Sequence, residues 1–287
     1  MVLQYLINAI INGSIISILA IGFALVYNTT RIFHIAYAAL YTLSGYVFYQ
    51  FYELNNFSFL VALLISLAIT SIVSLAIDLV VYRTLNKKSL GLHSIMIASI
   101  ALFIIIINII VLIWGNSPRL VLNEQLLNFN LFGVSGNRIS ILATYLLILI
   151  ALMIFIKKGK FVTIIRSIRD NQTLAGLMGI NIGNYRTGVF IISGIIVGIV
   201  GSIQAFDVGI NPDVGLPVFI YAFIAIIIGG IGRIEGAIIG GYTLGFLQTI
   251  AEYFINSQWV VLSIFVILLL FLIYLPKGLL PEKRREL

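Results

Sequence analysis

The sequence predicts an all-α, polytopic integral membrane protein with about eight to nine transmembrane helices and one further helix on the cytoplasmic side. Three observations carry this. Hydrophobic residues make up 61% of the 287 residues and charged residues 9%, with a mean hydropathy of +1.14. A soluble domain is usually about 45–50% apolar and about 25% charged. Apolar runs of membrane-spanning length recur along nearly the whole chain, and the basic residues fall in the connections between them.

An apolar helix needs about 20 residues to cross the hydrocarbon core, which places spans at 2–27, 32–52, 57–82, 92–114, 139–156, 187–210, 217–231, 236–255 and 259–275. Each is expected to be helical, because lipid offers no partner for a free backbone amide or carbonyl. The segment 217–231 is the exception in length. At about 1.5 Å per residue it reaches only about 22 Å, so a re-entrant or broken helix is an alternative to a full crossing. The start, Met1-Val2-Leu3-Gln4, has neither a basic region nor a small-residue cleavage site, so the first span is expected to be retained. No room is left for a separate soluble domain, and residues 1–287 are expected to form a single transmembrane domain.

Nine crossings with the C-terminus inside place 15 of the 17 basic residues in the cytoplasm and leave Arg119 and Arg138 outside. Basic residues accumulate on the cytoplasmic side, and that accounts for the net charge of +7 without nucleic acid. With no cysteine, disulfides, thiolate metal sites and cysteine nucleophiles are excluded.

Ionisable residues within spans are costly and are functional candidates by default. Asp78 lies near the cytoplasmic end of its span, within reach of Arg83, and Glu252 lies near the outer end of 236–255. The two histidines, His34 and His93, do not make a metal or haem site, which needs several converging ligands. No P-loop and no Gly-x-Ser-x-Gly elbow is present. The sequence therefore calls for no metal and no cofactor, and ATP would have to be bound elsewhere.

Two stretches stand out. The C-terminal half is rich in glycine: Gly209-Ile210-Asn211-Pro212-Asp213-Val214-Gly215, Gly229-Gly230-Ile231-Gly232 and Gly236-Ala237 through Gly240-Gly241. This spacing suits close helix packing and equally suits the interrupted helices of a transport path; spacing alone supports both. Residues 157–186 form the one long polar, basic stretch on the cytoplasmic side. Phe161, Ile164, Ile165, Ile168, Leu174, Leu177 and Met178 recur there at helical spacing beside Arg166, Arg169, Asp170 and Asn171. Such a helix could lie on anionic headgroups or dock by its apolar face in a soluble partner. The turn Gly179-Ile180-Asn181-Ile182-Gly183 favours docking, since a surface anchor does not need it.

The run Arg166-x-x-Arg169-Asp170-Asn171-x-x-x-Ala175-x-x-Met178-Gly179-Ile180-Asn181 resembles the cytoplasmic coupling loop of ABC-importer permeases, and more narrowly that of branched-chain amino acid permeases. Gly209-Ile210-Asn211-Pro212-x-x-Gly215, Ala222-Phe223, Gly229-Gly230-Ile231-Gly232-x-x-x-Gly236-Ala237-x-x-Gly240-Gly241 and the ending Leu275-Pro276-Lys277-Gly278-Leu279-Leu280 are similar to that family at matching intervals. So are Asn12-Gly13-Ser14, Gly22-Phe23-Ala24-Leu25-Val26-Tyr27 and Leu40-Tyr41 near the start.

The resemblance implies a multi-pass permease subunit in the bacterial plasma (inner) membrane that pairs with a second permease subunit. Two separate ATPase subunits would grip the coupling helix through Arg166, Arg169, Asp170, Asn171, Ala175 and Gly179. An extracytoplasmic solute-binding protein would deliver substrate to an outer mouth near 115–138 and 207–216. The path would involve His34, Tyr37, Asn211, Pro212, Tyr221, Gly229, Gly230, Gly232 and Gln248. Three positions depart from the family pattern. His34-Ile35-Ala36-Tyr37-Ala38 stands where that family usually has Asn-Phe-Ala-His-Gly, Tyr221 stands where a basic residue is common, and Gln248 stands where an acidic one is expected. Branched-chain amino acids are the first expectation for substrate, with other small polar solutes as alternatives. A self-sufficient secondary transporter or channel is the rival class, and a membrane-embedded enzyme a third.

Overall fold

The computed structural model describes residues 2–88, 91–121, 130–131, 134–230, 232–254, 257–275 and 278–280. Helices occupy every expected span. They are α1 (Val2–Thr30), α2 (Ala36–Tyr49, extended by a π-wound turn Gln50–Leu54), α3 (Phe59–Ala76), α5 (Leu92–Trp114), α6 (Gly136–Lys158), α9 (Ile182–Val208), α10 (Gly215–Gly229), α11 (Ile234–Phe254) and α12 (Ser257–Tyr274). Between α3 and α5, a second π-wound turn (Ile77–Tyr82) leads into the short α4 (Arg83–Lys87). The polar stretch folds as α7 (Lys160–Asp170) and α8 (Gln172–Leu177). Two two-residue strands, Asn130–Leu131 and Val134–Ser135, pair antiparallel ahead of α6. Among the described residues, six helices are long and apolar enough to cross a membrane: Leu3–Thr30, Phe59–Lys87, Leu92–Trp114, Gly136–Lys158, Ile182–Val208 and Pro212–Gly229.

The chain forms two compact units. One comprises α1 up to residue 24, α6, α10 from residue 220, α11 and α12. Here α1 and α11 meet backbone to backbone. A Cβ on Gly241 would lie 2.6 Å from the Ser17 Cα, and one on Gly245 would lie 2.4 Å from the Gly13 Cα. Ser17 donates to the Ile238 carbonyl at 3.0 Å, and Ser14 pairs with the Tyr242 hydroxyl at 2.9 Å. The α10–α11 hairpin is equally tight, with a Cβ on Gly240 only 1.9 Å from the Ala225 carbonyl oxygen. Helix ends leave their last carbonyls unbonded, and the amides of Leu279 and Leu280 satisfy those of Ile228 and Gly229 at 2.8 and 3.2 Å.

The second unit holds residues 25–123 and 160–219, with α2 at its centre. Every residue of α2 except Leu43 is buried, as expected for a helix apolar on all sides. Helices α3 and α9 pack on it and on each other, and α5 covers a further side. Along α3 and the π-wound turn that continues it, Ala62, Ser66, Thr70, Ser74, Asp78 and Tyr82 are all buried and follow one another at four-residue intervals. The hydroxyls bond outward. Ser66 donates to the Ser44 carbonyl at 2.9 Å, Thr70 to the Gly194 carbonyl at 3.1 Å and Ser74 to the Phe190 carbonyl at 2.8 Å, while Ser202 donates to Ser66 at 2.8 Å. Four residues advance an α-helix about 40° beyond one turn, so the stripe would drift off the interface. The π-wound turn Ile77–Tyr82 has more residues per turn and takes up that drift, keeping both Asp78 and Tyr82 inside.

The glycines of α9 set how closely α3 can approach. A Cβ on Gly194 would lie 2.6 Å from the Ser71 Cα, which cannot move without moving the helix, whereas Gly91 has nothing within 4 Å. Overpacking of this kind costs roughly 1–3 kcal/mol. Gly194→Ala is therefore expected to lower the thermal unfolding midpoint in detergent by about 3–10 °C, with Gly91→Ala within about 1 °C of the parent; calorimetry or a thiol-free fluorescence melt measures both.

Candidate functional site

The segment between α6 and α9 is where the sequence places the contact with a partner. Helix α7 is strongly amphipathic, and Val162, Ile165 and Ile168 turn its apolar face into the protein. Phe161 stacks beside Tyr185 of α9 with ring centroids 5.4 Å apart. Arg169 folds onto Asp170 at 2.6–2.9 Å, and its backbone carbonyl accepts a 2.9 Å bond from the Arg31 guanidinium.

Asn171 then reverses the chain. Its side chain accepts from the Leu174 amide at 2.9 Å and caps α8, the usual work of an asparagine at a helix start. Ala175 is the buried residue of α8; Leu174, Leu177 and Met178 are exposed by 54%, 81% and 76%. Gly179 ends the helix at φ +83°, with the Ile180 amide bonded back to the Ala175 carbonyl at 3.1 Å. Asn181 caps α9 through the Asn184 amide at 3.2 Å. The two helices thus divide the work: α7 anchors inward, and α8 presents three apolar side chains outward. Docking was expected of one continuous apolar face, but the α7 half of that face is consumed inside the unit.

At the root of this segment lies a charged cluster. Asp78 is fully buried. Arg83 binds one carboxylate oxygen at 2.7 Å, and Arg186, in the first turns of α9, binds the other at 2.6–2.7 Å. Arg83 also donates to Thr187 at 2.6 Å and to the Gly183 carbonyl at 3.2 Å. The expected Asp78–Arg83 pairing is present; Arg186 is a partner that spacing along one span could not reveal. One turn on, the Tyr82 hydroxyl donates to Ser99 at 2.8 Å and meets His34 Nδ1 at 2.7 Å. Ser99 also accepts the Ala36 amide at 3.0 Å. With the tyrosine proton spent on Ser99, Nδ1 is the donor, which leaves the buried Nε2 of His34 with a lone pair and no hydrogen-bond partner.

Among the path candidates, His34 and Tyr37 are neighbours, ring centroids 6.1 Å apart, and both are fully buried. Asn211 caps the 3-10 turn Pro212–Val214 by accepting from the Asp213 amide at 3.0 Å, and Pro212 is buried. A Cβ on Gly215, where α10 begins, would lie 2.2 Å from the Ala38 carbonyl oxygen, and Phe33 and Phe219 rings meet at 5.8 Å. In the other unit, Tyr221 is nearly buried and lies within electrostatic reach of Glu252, whose carboxylate accepts from Gln248 at 2.9 Å. Gly229 packs on Gly236, and Gly230 and Gly232 take φ +105° and +106° in the turn to α11; close packing at the first and left-handed backbone at the other two suffice to explain the glycines. Residues missed by sequence reasoning are Ser66, Thr70, Ser74, Tyr82 and Arg186. The four-residue recurrence of polar groups on an otherwise apolar helix is the signal that could have found all but the last.

The family model described as "Branched-chain amino acid transport system / permease component" matches residues 5–275. The chain belongs to that family. A probable branched-chain amino acid transport permease, LivH, of Methanocaldococcus jannaschii is 29% identical over 88% of this chain and 82% of its own length. The high-affinity permeases BraD of Pseudomonas aeruginosa and LivH of Escherichia coli are 26% and 27% identical over 99% of this chain and 97% of theirs. Among solved structures, PsaBC from Streptococcus pneumoniae in complex with Fab shares the fold, with a TM-score of 0.51 at 16% identity over 95% of this chain and 92% of that one. This permease is thus a multi-pass plasma-membrane transport subunit.

Gly179 offers a test of the local geometry. A Cβ there would meet nothing within 4 Å, so Gly179→Ala costs only the left-handed backbone, about 1–2 kcal/mol. Hydrogen exchange at the Ile180 amide is expected to speed up about five- to thirtyfold, as read by mass spectrometry.

Proposed function

We propose that the permease forms the translocation path of an ATP-driven importer and that α8 is the helix its ATPase subunit grips. The observation that carries this is the exposure of Leu174, Leu177 and Met178 on a short helix capped at both ends. A helix that docks in a groove does so with anchors at such intervals. Arg166, Arg169, Asp170, Asn171, Ala175 and Gly179 then shape and hold the docking element, with ATP hydrolysed on the partner subunit. The whole chain, 1–287, serves as one permease domain, with 157–186 as its cytoplasmic loop.

The finer topology fits eight or nine crossings with the C-terminus in the cytoplasm, supported by the 15 bases that this arrangement places inside. For α10 both readings stay open: its 15 residues alone span about 22 Å, while with the preceding turn the helical stretch Pro212–Gly229 is long enough to cross. A second permease subunit, a copy of this chain or a relative, completes the pore. An extracytoplasmic binding protein feeds the mouth near Arg119 and Asn211–Gly215, where the Arg119 and Ile210 backbones pair at 2.8 Å. The names of the relatives put branched-chain amino acids first among substrates, and the path is assigned to His34, Tyr37, Asn211, Pro212, Tyr221, Gly229, Gly230, Gly232 and Gln248. The rival reading, an ion-coupled transporter, needs an intramembrane carboxylate free to bind the ion; Asp78 is held by two guanidiniums.

Leu177→Glu places a charge at the centre of the docking face. It is expected to reduce co-purification of the ATPase subunit at least about tenfold and to abolish uptake, while Ser167→Glu on the exposed polar face of α7 retains both. ATPase retention by Leu177→Glu removes the assignment.

A further inference from the structure

The two ends of the π-wound turn Ile77–Tyr82 face different parts of the same unit. Asp78, at one end, is the buried anchor for Arg186, which lies five residues beyond the Asn181 cap that closes the polar segment. Arg83, just past the other end, reaches back to Gly183 and Thr187 in that same first stretch of α9. Tyr82 points elsewhere: its hydroxyl holds His34 at 2.7 Å and Ser99 at 2.8 Å, and Ser99 holds the amide of Ala36, the first residue of α2. Ile35, at the N-cap of α2, has no side chain that can accept a hydrogen bond, and the Ser99 hydroxyl of α5 accepts the Ala36 amide in its place.

One short piece of helix therefore bonds on one side to the base of the docking segment and on the other to the buried loop that carries His34 and leads into Tyr37. π-wound turns inside α-helices are frequent at functional sites, because they hold a ladder with one residue too many and a different winding is close at hand. Resting on the reading of α8 as the ATPase docking helix, we propose that the turn Ile77–Tyr82 is the mechanical link of the permease. Displacement of the 160–181 segment pulls on Asp78 through Arg186 and is delivered to the His34 loop through the Tyr82 hydroxyl. Asp78 and Tyr82 are positioning residues: they touch no substrate, and they set where the interior loop sits when the docking segment moves.

Work done by the partner and its delivery to the path are separately measurable. The intact importer, with its ATPase, permease and binding-protein partners, is reconstituted in vesicles, and ATP hydrolysis and uptake of leucine are measured together. Asp78→Asn keeps the shape of the side chain and removes the charge that both arginines hold. The complex is expected to assemble and to retain at least about half of its ATP hydrolysis, while uptake per ATP falls about tenfold, within the usual range of coupling between sites. Tyr82→Phe deletes the hydroxyl, leaves the arginine cluster in place, and is expected to lower the same ratio about threefold. Hydrolysis and uptake falling in parallel, or neither changing, overturns the proposal. Failure of both variants to assemble assigns the turn to folding alone and overturns it too. Loss of the ATPase subunit from the parent complex would instead strike the docking assignment, and that outcome is separately visible in the composition of the purified assembly.

Discussion

Helices α2, α3 and α9 are held together without the force that drives soluble cores. Lipid is as apolar as leucine, so association in a membrane rests on close packing and on hydrogen bonds between helices. The second unit meets that requirement with one stripe. Ser66, Thr70 and Ser74 of α3 reach backbone carbonyls of α2 and α9, and Gly194, Gly198 and Gly201 remove the side chains that would hold the backbones apart. Each hydroxyl contributes modestly, about 0.6 kcal/mol on average for such bonds. Their regular spacing makes the interface specific in register, since a slide of one residue breaks the whole series.

The same stripe explains how a charge survives in this setting. Asp78 continues it by four residues, and a lone buried carboxylate would cost several kcal/mol. Two guanidiniums supply the missing charge, one from the next turn of its own helix and one from α9. The carboxylate is the acceptor that both guanidiniums share, so the cluster ties the start of α9 to the end of α3. Because α9 begins where the polar segment ends, this charged tie lies beside the segment proposed to meet an outside partner.

Much of this was legible in the sequence. Hydropathy and length located the long apolar helices, and the turn read at Gly179–Gly183 falls where the structure shows Gly179 at positive φ and Asn181 capping α9; the break at Asn171 that divides α7 from α8 was not read. The family likeness of the 166–181 run is matched by the family model over residues 5–275. What stayed hidden depends on tertiary partners. Isoleucine and valine at helical spacing in α7 look alike whether they face a partner or the chain's own core, and only packing shows that Val162, Ile165 and Ile168 are spent inside. Arg186 stands 108 positions from Asp78, beyond any local pattern. The serines and threonines of α3 score as neutral on a hydropathy scale, so a stripe of them vanishes into an apolar average. The ending Leu275 to Leu280 was recognisable as a motif, but its work, capping α10 through Leu279 and Leu280, needed the fold.

The central claim is that α8, and not α7, is the surface a cytoplasmic ATPase subunit touches. Since the chain has no cysteine, a single cysteine introduced into the purified permease can be loaded with a thiol-reactive photo-cross-linker and irradiated after the importer is assembled. The account predicts a cross-link to the ATPase subunit from Leu177→Cys and Met178→Cys, and none from Ile165→Cys on the inward face of α7. Cross-linking from Ile165 with silence at Leu177 and Met178 would contradict it.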